Sequence, residues 1–139
     1  MQIKIQANSK EISRRLNKRG KELSASVKRA LLITAQEGIN IIEERTRKGQ
    51  GYKGAFASYT PEYAAFRERA NRGSTPDLQF TGQMLGSMAA KSDRTQAEIF
   101  FTRATESAKA SVNNKKRPFF GFNRSEENEL SKVFFKVLR

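Results

Sequence analysis

The sequence has 139 residues and contains neither cysteine nor histidine. Without cysteine there is no disulfide framework and no thiolate nucleophile. Without histidine three things go together: the commonest general base, the commonest metal ligand and the side chain that titrates near neutral pH. Aspartate is scarce too. Only Asp77 and Asp93 occur, far apart in the chain, whereas hard divalent cations are held by clustered carboxylates. The pairs Glu43–Glu44 and Glu126–Glu127 do not make up the shortfall. Adjacent positions point to different sides of a helix, and the second pair is accounted for by a helix start. The first ten residues, MQIKIQANSK, lack the apolar run of a secretion signal, and no stretch approaches membrane-spanning length. These absences lead us to expect a non-enzyme made in the cytoplasm, with no cofactor, metal or membrane partner, that works by binding or assembling.

What the chain does have is positive charge. Lys plus Arg number 27 against 14 acids, a formal net charge of +13. A surplus of that size favours polyanionic partners and opposes close self-association unless something offsets the repulsion. Apolar residues make up 37%, low for a globular chain, but they are clustered rather than diluted, which argues for a folded core. The length fits one domain over residues 1–139.

Periodicity predicts an α+β fold: a long N-terminal helix packed with a small antiparallel sheet, plus short helices and a C-terminal amphipathic helix. Ile3 and Ile5 alternate with Lys4 in a short edge strand over residues 2–6. From about Lys10 to Lys48 the residues Ile12, Leu16, Leu23, Val27, Leu31, Ala35, Ile39 and Ile42 lie along one helical face. Ser9 suits the cap, and Gly20 and Gly38 are the points where this helix is expected to bend or break. Unbroken, it spans about 55 Å, longer than so small a domain needs. Three glycines between Gly49 and Gly54 read as a flexible loop over about 48–58. No strand precedes them and no Gly-Lys-Ser/Thr follows, so they make no phosphate cradle. Thr60-Pro61-Glu62 reads as a helix start, with the helix running to about Ala70 and a loop over about 71–77. Thr81 is expected to cap a short helix from Gly82 to Met88. Two strands follow, about 88–91 and 96–102, joined by a turn at residues 92–95. A small helix is expected over 102–113 and a basic loop over 113–116. Asn123 with Glu126 predicts a capped last helix, with an apolar stripe of Leu130, Val133, Phe134, Val137 and Leu138.

Basic residues cluster twice. Arg14, Arg15, Lys18, Arg19 and Lys21 crowd the start of the long helix, and Lys115, Lys116 and Arg117 form a second group with Arg124 nearby. Of these, Arg14, Arg15, Lys18, Arg19, Lys115 and Lys116 are the candidate polyanion contacts. Phe119, Phe120 and Phe122 adjoin the second group. They are either a stacking platform for single strands or members of the core. No nucleic-acid-binding motif is present, so any DNA contact should be with backbone, salt-sensitive and indifferent to sequence.

Three stretches form a pattern when taken in order. The first is Tyr59-Thr-Pro-Glu-Tyr-Ala-Ala-Phe-Arg, where Tyr59, Pro61, Tyr63 and Ala64 matter. The second is Leu78-Gln-Phe-Thr-Gly-Gln-Met-Leu-Gly-Ser, with Leu78, Thr81, Gly82, Met84, Leu85 and Ser87. The third is Arg117-Pro-Phe-Phe-Gly, with Arg117, Phe119, Phe120 and Gly121. Their order and spacing over about residues 50–139 resemble the virion morphogenesis and tail completion proteins of tailed bacteriophages, a group that includes neck and minor tail proteins. The resemblance implies a structural, ring-forming subunit at the head–tail neck or tail end of a virion. Its partners would be copies of itself and other neck or tail proteins, and it implies no catalytic residue. The runner-up is a free, sequence-nonspecific DNA-binding protein.

Overall fold

The structure is a computed structural model that describes residues 1–7, 10, 11, 14, 20–79 and 82–138, of which 21 and 22 by backbone only. The expected Ser9 cap and the stripe positions Ile12 and Leu16 lie outside the described residues.

Strand β1 (Gln2–Gln6), strand β4 (Met88–Ser92) and strand β5 (Gln96–Phe101) form an antiparallel sheet in the order β1-β5-β4. The alternation read from the sequence sets the register. Ile3 pairs with Ile99 and Ile5 with Ala97, so the apolar residues fall on one face. On β5, Ala97, Ile99 and Phe101 are buried while Gln96, Glu98 and Phe100 are half-covered on the other side. The β4–β5 turn is built by Asp93. Its Oδ1 accepts from the backbone N–H groups of Thr95 and Gln96 at 2.7 and 2.9 Å, and from the Thr95 hydroxyl at 2.9 Å. These donors, the two backbone groups first, hold the Asp93 carboxyl below the usual range.

Helix α1 (Lys21–Arg47) crosses this sheet and also packs on the last helix, α5 (Arg124–Val137). The expected helix from Lys10 is therefore interrupted. Gly20 takes φ +63°, a conformation that does not continue a right-handed helix and that glycine adopts at no steric cost. At 27 residues α1 is about 40 Å long. Gly38, the other expected weak point, does not bend it. A Cβ there would lie 2.8 Å from Phe122 Cζ and 3.2 Å from Ile99 Cδ1, so the glycine is a seat for the core. Val27, Ala30, Leu31, Ala35 and Ile42 face the sheet fully buried, and Thr34 joins them by returning its hydroxyl to Ala30 O at 2.7 Å.

The glycine-rich segment forms a hairpin, β2 (Gln50–Gly51) with β3 (Gly54–Ala55), rather than an irregular loop. It is seated on the third motif: Tyr52 N–H donates to Pro118 O at 3.2 Å, and the Tyr52 ring lies where a Cβ on Gly121 would be. Helix α2 (Pro61–Arg69) begins as expected, with Thr60 Oγ1 accepting from Tyr63 N–H at 3.3 Å. Helix α3 is shorter than expected (Gln83–Gly86). Its N-cap is Gly82 in the left-handed region, and Met88 already belongs to β4. Helix α4 (Ala104–Lys116) extends through residues 113–116, where a loop was expected. Asn114 accounts for the stop, because its Oδ1 accepts the N–H groups of both Phe119 and Phe120 at 3.0 Å and draws the chain into a turn. Helix α5 carries the full capping box, Asn123 with Glu126, and buries Leu130, Phe134 and Leu138.

Candidate functional site

The three motif stretches, separate in sequence, meet at Tyr59. The Arg117 guanidinium donates to Ala57 O at 2.9 Å and Ser58 O at 3.1 Å, and its Cζ lies 4.6 Å from the Tyr59 ring centroid. Arg67 lies 5.1 Å from the same ring. The Tyr59 hydroxyl accepts the Leu78 N–H at 3.2 Å. Leu78 needs that anchor, since its φ of +57° is unusual for a residue with a branched side chain. Burial raises the Tyr59 phenol above its ordinary value, and the Leu78 N–H and Arg67 only partly oppose this.

A second set of bonds closes the segment from 59 to 79 on itself. Arg67 is 1% exposed. Its guanidinium donates to Gly73 O at 2.8 Å, to Arg72 O at 3.0 Å and to Asp77 Oδ1 at 2.8 Å. Burial alone would weaken its charge, but Asp77 and then Tyr59 outweigh burial and push its pKa up. α2 makes at most glancing contact with any other helix or strand, and it is tied down by Tyr59, which meets Arg117 and Leu78, and by the bonds of Arg67. It carries two large aromatics outward: Tyr63 and Phe66 are 38% and 47% exposed, with ring centroids 6.1 Å apart.

The rest of the second motif is interior. Met84 and Leu85 are buried. The Ser87 hydroxyl donates to Met84 O at 2.9 Å, and Ser87 O accepts Thr102 N–H at 2.9 Å. Thr81 lies outside the described residues. In the third motif Phe119 is fully buried, Phe120 is 6% exposed and Phe122 packs half-buried against the core. The phenylalanines are therefore core residues and make no stacking platform. Of the polyanion candidates, Lys115 and Lys116 are exposed at the end of α4, and Arg14 is exposed and paired with Glu11 at 3.1 Å. Arg15, Lys18 and Arg19 lie outside the described residues.

Three residues matter here beyond those named as site candidates. Arg45, one of the chain's 27 basic residues, ties α1 to the third motif. It donates to Glu126 Oε2 at 2.8 Å, to Phe119 O at 2.8 Å and to Gly121 O. Arg67 closes the first motif stretch but is not among its marked positions. Glu106 sits in the first turn of α4 and is 2% exposed. Arg45 and Arg67 are defined by partners outside their own helices, which local sequence does not show.

The surface has two recesses of note. One is an apolar cleft of about 790 Å³ between β1, α1 and α5, floored by Ile3, Ile5, Leu31, Phe122, Leu130 and Phe134. The other, about 300 Å³, is walled by Tyr59, Tyr63, Met84 and Glu106. Among the described residues no group of three or more acids could hold a metal ion, and no helix is long and apolar enough to cross a membrane. Comparison with protein families, with characterised proteins and with solved structures finds no match to the chain.

Proposed function

We propose that this chain is a structural assembly protein of a tailed phage or prophage, a ring-forming subunit that completes the tail or the head–tail neck. The observation that carries this reading is the convergence at Tyr59. The motif residues whose order resembles that group of proteins are spent on holding a shape: Leu78 and Arg117 both engage Tyr59, and Leu85, Phe119 and Phe120 are core. The unit they fix presents Tyr63 and Phe66 side by side on the surface, and paired exposed aromatics are a common mark of an interaction surface. The apolar cleft beside edge strand β1 gives a neighbouring subunit a second place to dock.

Disrupting the gene in the phage or prophage that encodes it tests the reading. Filled heads with unjoined or unstable tails are expected, and a normal yield of infectious particles would sink it. The second reading, sequence-nonspecific DNA binding, is favoured by the exposure of Lys28 and Arg29 on α1 and of Lys115 and Lys116 on α4. It predicts affinity that falls steeply with salt, and no retention of DNA at low salt removes it.

A further inference from the structure

We draw no further inference here: the strongest candidate, the apolar cleft between β1, α1 and α5 floored by Ile3, Leu31, Phe122 and Phe134, is an unpartnered face, and nothing among the described residues shows what covers it.

Discussion

Replacing Arg45 by methionine keeps most of the side chain's volume and removes its three hydrogen bonds. The magnitude follows from what is left behind. Glu126 Oε2 loses the cation 2.8 Å away, in a pair whose side chains are only 12% and 13% exposed. The Phe119 and Gly121 carbonyls lose their charged donor at the point where the third motif turns into α5. Removing one partner of a buried pair costs about 3–5 kcal/mol. These groups retain some water, and Glu126 keeps its bond to Asn123 N–H at 3.0 Å through the other oxygen, so we expect about 3 kcal/mol. Glu126→Gln should cost less, about 1–2 kcal/mol, because a glutamine oxygen still accepts one of the two bonds. The double variant should fall short of the sum by about 1 kcal/mol or more, because both changes remove the same contact. Urea unfolding is the assay, since guanidinium chloride would screen the pair, and the slope should stay constant while the midpoint drops. A loss below about 1 kcal/mol for Arg45→Met, or full additivity in the double variant, would refute this account of how α1 holds the motif.

Gly51→Ala places a methyl group against the Pro118 carbonyl oxygen and 2.6 Å from Phe56 Cε1; with backbone on one side, it should cost about 2–3 kcal/mol by thermal or urea unfolding. Arg67→Met unties residues 72, 73 and 77, so amide exchange should accelerate through 59–79 while α1 and the sheet keep their protection. The Asp93 carboxyl is more acidic folded than unfolded, so the stability it adds is complete above the ordinary aspartate range and is lost as pH falls through the depressed value. The gap in urea midpoint between the wild type and Asp93→Asn should therefore be widest near neutral pH and close in acid.

Residues whose role is set by neighbours along the chain were legible from sequence. The β1 and β5 alternation, the Thr60-Pro61 start and the Asn123–Glu126 capping box all depend on spacings of two to four residues, and the structure has each of them. Gly20 and Gly38 show where local reading stops. Both weaken a helix by propensity, yet one breaks it and the other supports packing, because only Gly38 has Phe122 and Ile99 pressed against it. The end of α4 was misplaced for a related reason: Asn114 turns the chain by reaching forward to Phe119 and Phe120, and composition reads that polar stretch as loop. At the candidate site, the sequence marked Tyr59, Leu78 and Arg117 but not the bonds among them. Arg67 stands in the first motif stretch with nothing to mark its burial, and Glu106 was missed, since a buried charge looks like a surface charge until its partners are known.

The most direct test is whether the chain is part of a finished particle. Mass spectrometry of gradient-purified virions should find it in a small, fixed number of copies that stays constant after nuclease and salt washes. Finding it only in the soluble lysate, or lost from particles when DNA is digested, would contradict a structural role and return the +13 charge to DNA binding.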